Sequence, residues 1–328
     1  MNENKNSGEA QPQSVGSFGS RLTLGLLHGL SRCPMSVLYG LSDLMAPLLH
    51  HVVRYRLRVV RDNLRRCFPE QTDAERRAVE RRFYRYFCDL AVEIVKGATI
   101  SADELMRRVE VCGLEAVEAT FADHDFCVCY LGHYCNWEWL TVLPCYLRRG
   151  GMTQIYHPMR NAAFDRWFCH NRSRFGAINI PMKQTLRRLL ALRAPLQAAK
   201  SAKATEAEGT AAEAEGGNNI QGYLLGCIAD QLPKAANIHH YTTFLGQRTA
   251  VFTGSEEIGR RMNTSYAYAR MERLRRGYYR LTFELMDAEA LQARGDDFPL
   301  TDEFMRLMEQ DIRRAPEFWL WTHKRWKR

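Results

Sequence analysis

The feature that most limits how this chain folds is a change of hydrophobic rhythm at residue 126. From there, short runs of β type alternate with helical ones. FCVCYLG (126–132) reads as a buried strand and NWEWLTVLPCYL (136–147) as a helix. TQIYHP (153–158) is a strand, residues 161–175 a helix, AINI (177–180) a short strand, KQTLRRLLALR (183–193) a helix and YLLGCIA (223–229) another buried strand. Continuous apolar strands separated by helices suit a parallel sheet covered on both faces. The sequence therefore predicts an α/β domain with a mixed, largely parallel sheet flanked by helices.

Further on, residues 265–287 read as a hairpin turning across 275–277. Thr301 is expected to cap a helix whose apolar face is Phe304, Leu307, Met308 and Ile312 and which Pro316 ends. Upstream the pattern is helical: residues 74–96 place Val79, Phe83, Phe87, Leu90 and Ile94 at helical spacing. This divides the chain into a disordered tail (1–20), a helical membrane-associating region (21–100) and the α/β domain (101–328). Within the domain, residues 198–219 hold no aromatic or branched aliphatic side chain. They read as a flexible surface insertion away from the site.

The membrane expectation rests on residues 22–49. They are apolar, but His28, Arg32, Pro34, Asp43 and Pro47 interrupt them. A spanning helix needs about 20 uninterrupted apolar residues. The segment is therefore expected to lie in the interface, apolar side to lipid and basic side to headgroups, with a buried amphipathic helix pair or a true span as the alternatives. Charge points the same way. The chain carries 46 Lys and Arg against 37 Asp and Glu, a net charge of +9. Eleven Arg against five acids fall in residues 54–85, directly after the apolar segment, as a membrane surface would favour. The closing WLWTHKRWK mixes Trp319, Trp321 and Trp326 with Lys324, Arg325 and Lys327, a mixture suited to an interface or, alternatively, to a packed core tail. Ten cysteines, several inside apolar runs and with no secretory signal, suggest reduced thiols in the cytoplasm.

Chemistry concentrates in LGHYCNWEW. His133 follows a buried strand, where open α/β sheets bind ligands. Glu138 lies five residues on, just inside the next helix. A histidine whose tautomer is fixed by a carboxylate can take a proton from an alcohol. Cys127, Cys129, His133 and Cys135 invite a zinc reading. However, Cys-x-Cys in one strand turns both thiols to the same face, and no second Cys-x2-Cys pair completes the usual spacing. Neither a Gly-x-Ser-x-Gly elbow nor a Gly-rich phosphate loop occurs.

Six blocks in order give a resemblance: YRLRVVRDNLRRCFPE (55–70), GHYCNWE (132–138), IYHPMRNAAFD (155–165), IADQ (228–231), FLGQRTAVFTG (244–254) and PEFWLWTHKRWK (316–327). Together they resemble the late acyltransferases of lipid A biosynthesis, the lauroyl/myristoyl transferase family, from about Leu22 to the C-terminus with residues 198–219 interrupting. The resemblance implies that His133 and Glu138 are the catalytic pair, His133 as general base and Glu138 as its partner. It places substrate contacts at Asn136, His157, Arg160, Asn161, Asp230, Gln231, Thr253 and Gly254. The family commonly has Arg where this chain has His157, which leaves Arg160 to take over a phosphate contact. An activated hydroxyl would attack the acyl thioester directly, with the oxyanion held by backbone N–H groups near Thr253 and Gly254. The implied donor is an acidic acyl carrier protein. The implied acceptor is an anionic glycolipid at the cytoplasmic face of a bacterial inner membrane, with no metal or organic cofactor and no nucleic acid. A lysophospholipid or amino lipid acceptor, or a catalytically silent membrane scaffold, are the alternatives.

Overall fold

The computed structural model describes residues 18–207 and 220–326. Its helical part comprises α1 (Phe18–Ser31), α2 (Met35–Pro47), a π-helical turn (Leu48–Val53), α3 (Leu57–Cys67) and α4 (Asp73–Lys96). Then come α5 (Ala102–Arg108), β1 (Val109–Cys112), α6 (Leu114–Ala119) and β2 (Phe126–Leu131). A 3-10 helix (Trp137–Cys145) leads to β3 (Gly150–Tyr156), α7 (Ala162–Ser173), β4 (Ile178–Pro181) and α8 (Thr185–Ala207). The rest is β5 (Gly222–Ile228), β6 (His240–Phe244), β7 (Gln247–Val251), α9 (Gly254–Met262), β8 (Ser265–Arg275), β9 (Tyr278–Leu285), α10 (Ala288–Gln292) and α11 (Pro299–Arg314).

Seven strands form one sheet in the order β1-β9-β8-β2-β5-β3-β4. Every neighbouring pair is parallel except the β8–β9 hairpin. β6 and β7 pair separately as an antiparallel ribbon. The expected α/β architecture with a largely parallel sheet is therefore present. β2 sits at the centre, and all six of its residues are buried, which explains its unbroken apolar sequence. Phe304 of α11 stacks on Tyr130 of β2 at 5.1 Å. The β8–β9 turn needs Gly277 at φ +73°, because a Cβ there would strike the Tyr39 hydroxyl. Thr72 and Glu75 form a reciprocal capping box that starts α4.

Several expectations change. Residues 18–20 of the expected tail are already helix α1, and the rest of the tail lies outside the described residues. Residues 198–207 of the expected insertion continue α8, whose Ala and Glu favour helix, while 208–219 lie outside the described residues. The last helix starts at Pro299, not after Thr301; the Thr301 amide and hydroxyl both donate to buried Glu256, at 2.8 and 2.7 Å. The segment after Asn136 is a nine-residue 3-10 helix rather than an α-helix, with Pro144 inside it. No helix among the described residues is long and apolar enough to cross a membrane.

Candidate active site

Parallel strands deliver their carboxyl ends to one edge of the sheet, and β2 and β5 are direct neighbours there. His133 lies two residues beyond β2 and Asp230 two beyond β5. The register thus brings together residues 97 apart in sequence: His133 Nδ1 is 2.7 Å from Asp230 Oδ1. An ionised carboxylate only accepts, so Nδ1 carries the proton and Nε2 is left as the basic nitrogen. The Gln231 amide nitrogen lies 3.3 Å from that Nε2. The Asp230 side chain is 2% exposed and that of His133 21%, so the carboxylate is enclosed while the imidazole is reachable.

Asp230 is held from its other side as well. Trp319 Nε1 donates to Oδ2 at 2.8 Å. Burial pushes the Asp230 carboxyl up. The charge on His133 and the hydrogen bonds from His133 and Trp319 outweigh that and keep the group below the ordinary aspartate value. Gly132 permits the close approach: a Cβ there would collide with the end of Met308 and come within 3.4 Å of the Asp230 carboxyl carbon.

The C-terminal segment forms the back wall. Leu320 N donates to His133 O at 3.1 Å, Cys135 N donates to Phe318 O at 3.1 Å, and Tyr134 and Trp319 form a bridge. Asn63 of α3 clamps this strap by donating to the carbonyls of Trp321 and His323, each at 2.9 Å. Arg56 adds a bond to Thr322 O at 2.9 Å. The first and last motif blocks therefore meet. Trp319, Trp321 and Arg325 are buried, so these residues of the closing block are interior packing rather than an interface surface.

Glu138 is placed differently from expectation. Its hydrogen-bond partners among the described residues are Arg172, which donates Nε at 2.9 Å and Nη2 at 2.5 Å, and Trp137 Nε1 at 3.2 Å. His133 is not among them. The carboxylate on its Nδ1 is Asp230, because adjacent parallel strand ends bring that residue directly alongside. Glu138 touches the site through Trp137, whose ring meets the His133 ring edge-to-face at 4.9 Å.

Of the other expected contacts, Gln231 joins the pair. Asn136 is fully buried; it donates to Glu93 at 2.7 Å and its oxygen caps the 3-10 helix at Trp139 N. It shapes the loop instead of facing a substrate. His157, Arg160 and Asn161 are exposed on the approach to α7, which Asn161 caps by accepting from Ala163 N and Phe164 N. Thr253 and Gly254 begin α9. The Ser255 hydroxyl bonds to the Cys227 thiol near the carboxyl end of β5, and α9 ends just before the start of β8. The positive end of this helix is therefore at the same sheet edge as Asp230. Trp319, Arg172 and Gly132 were not singled out from sequence as site residues. A tryptophan among lysines and arginines reads equally well as interface or as core.

Among the described residues, no group of three or more His, Cys, Asp and Glu side chains is arranged to hold a metal ion. A strand-end histidine whose Nδ1 meets a buried carboxylate is an arrangement suited to general acid–base chemistry, set here in an α/β protein. The family model for the bacterial lipid A biosynthesis acyltransferases matches residues 11–194 and 221–328. The chain belongs to that family, an acyltransferase family of lipid A biosynthesis. The break in the match covers the region read from sequence as an insertion. No curated protein matches the chain.

Proposed function

We propose that this acyltransferase moves a fatty acyl group from an acyl carrier protein thioester to a hydroxyl of a lipid A precursor, with His133 as general base. The observation that carries the reading is the 2.7 Å contact between His133 Nδ1 and Asp230. It leaves Nε2 to take the acceptor hydroxyl's proton as that oxygen attacks the thioester carbonyl. The carbonyl oxygen becomes the oxyanion, which the first N–H groups of α9 at Gly254 and Ser255 stabilise. Collapse expels the carrier thiolate, which recovers the proton from the imidazolium. Asp230 offsets the positive charge that forms on the ring, and Glu138 with Arg172 holds Trp137 against it.

The acceptor is an amphiphile, and the helical region suits delivery from a membrane. Leu22 and Leu26 on α1 and Leu44, Leu48 and Val52 further on are all more than half exposed, at four-residue spacing. Exposed Arg21, Arg32 and Arg54 accompany them. Apolar side chains flanked by arginine fit an anionic lipid surface, here the cytoplasmic face of the inner membrane. Arg160 and His157 on their exposed loop are the groups for an acceptor phosphate. The test is transfer from a radiolabelled acyl carrier protein thioester to a lipid A precursor in mixed micelles. His133→Ala should lose roughly 10²–10⁴-fold in rate. Full turnover by that variant would end the general-base reading; no transfer by either protein would favour the scaffold alternative.

A further inference from the structure

Near the end of α4, Glu93 is 0% exposed. Neutral donors from three parts of the chain converge on its carboxylate: the Tyr39 hydroxyl of α2 at 2.8 Å, the Tyr279 hydroxyl of β9 at 2.6 Å and Asn136 Nδ2 of the loop after β2 at 2.7 Å. The Arg273 guanidinium bonds to Asp89 instead, at 2.8 Å. A carboxylate buried without a bonded cation is costly, and an apolar side chain would pack α4 more cheaply. What the carboxylate adds is direction, since it gathers three hydrogen bonds at one point. The loop it grips is the one that carries His133. Asn136 accepts from Trp139 N at 3.3 Å, and Trp139 Nε1 returns to the Glu93 carbonyl at 3.0 Å. Just before Asn136, Cys135 holds φ +51°, a left-handed backbone that a non-glycine residue keeps only where its surroundings enforce it. They do so on both sides: Cys135 N donates to Phe318 O at 3.1 Å, and the next side chain is bonded to Glu93. This kink lies between His133 and Trp137, whose rings meet at 4.9 Å.

We propose that Glu93 is a positioning residue for acyl transfer, which fixes the turn from His133 to Trp137 through Asn136 and joins that turn to helix α2 through Tyr39. This rests on reading His133 as the general base. Without the Asn136 bond, the left-handed turn at Cys135 loses one of its two clamps. Trp137 and the imidazole are then free to turn away from the line of attack. Groups that hold the substrate elsewhere are untouched, so the loss falls on kcat and not on KM. The other end of the hub is α2, whose Val37 and Leu44 are 55% and 74% exposed. The hub thus links the helix placed against lipid to the loop that does the chemistry, by hydrogen bonds from Tyr39 and Asn136 to one carboxylate.

The experiment measures kcat and KM of acyl transfer, well below each melting temperature, for wild type, Tyr39→Phe, Glu93→Gln, Asn136→Asp and the double variant Glu93→Gln/Asn136→Asp. Either single change at 93 or 136 spoils the donor–acceptor match and should lower kcat by about 10–100-fold. KM should stay within about twofold of wild type. The double variant exchanges donor and acceptor, so that the amide at 93 donates to the carboxylate at 136, and it should recover to within about fivefold of wild type. Tyr39→Phe keeps the ring and should lower kcat by about 3–10-fold. The proposal is overturned if folded Glu93→Gln keeps the wild-type kcat whatever its melting temperature, if the loss appears in KM, or if the double variant is no faster than the slower single one. It is also overturned if Tyr39→Phe keeps the wild-type kcat, a result that stands even if the variants at 93 and 136 do not fold. Failure of the underlying reading looks different: His133→Ala would then keep its turnover.

Discussion

Two carboxylates flank His133, and their environments assign them different work. Asp230 is buried and bonded to the imidazole, while Glu138 is bonded to Arg172. Glu138→Gln should therefore lower stability by about 1–2 kcal/mol, because it leaves the Arg172 guanidinium without its charge partner. Thermal melts would read that loss. Asp230 has a stability signature of its own. Its folded pKa is depressed, so its contribution is complete above the ordinary aspartate value and disappears as pH falls through the lower folded value. Asp230→Asn should accordingly lose less stability than wild type between about pH 7 and about pH 3. An equal loss in both proteins would mean the carboxylate is not linked to folding. The sequence points to both residues but pairs Glu138 with the histidine, whereas in the structure the carboxylate on Nδ1 is that of Asp230. Glu138 is close along the chain, and proximity along the chain was the only measure of distance there. The pairing with Asp230 exists only through the register of β2 on β5, which no local pattern encodes.

At the scale of elements, the strands were legible because burial on both faces leaves unbroken apolar runs, as in FCVCYL and YLLGCI. The β6–β7 ribbon was not: HYTTF is buried only at its end, and QRTAV is buried over its last three residues but mixed in character, so neither leaves an unbroken apolar run. The closing strap stays open in the sequence for a related reason: composition does not say whether Trp319 meets lipid or Asp230. Elements also carry testable contacts. Gly132 joins β2 to its histidine, and Ala there must displace the enclosed Met308 and crowd Asp230. Gly132→Ala should cost about 1–3 kcal/mol and lower the transfer rate. An unchanged melt and rate would show that the loop has room that the packing denies.

At the scale of the molecule, the sheet separates two ends. The carboxyl edge holds His133 and Asp230. At the amino end of β2, Asp125 accepts Lys200 at 3.0 Å and Arg193 at 3.1 Å from α8. A six-residue strand is about 20 Å long, so α8 anchors well away from the chemistry. Deleting residues 208–219 should leave transfer activity nearly intact, and a large loss would contradict that separation. The helical end should carry membrane contact. Leu26→Asp with Leu44→Asp, both exposed, should release the protein from anionic vesicles in a flotation assay without lowering its melting temperature; retention would place the contact elsewhere. The most direct test of the central claim compares single-turnover acyl transfer by wild type, His133→Ala, Asp230→Asn and the double variant, with Glu138→Gln alongside. A general base held by Asp230 predicts that either single variant loses about 10²–10⁴-fold, that the double variant is little worse than His133→Ala, and that Glu138→Gln loses distinctly less. A near-normal Asp230→Asn beside a Glu138→Gln as impaired as His133→Ala would contradict it.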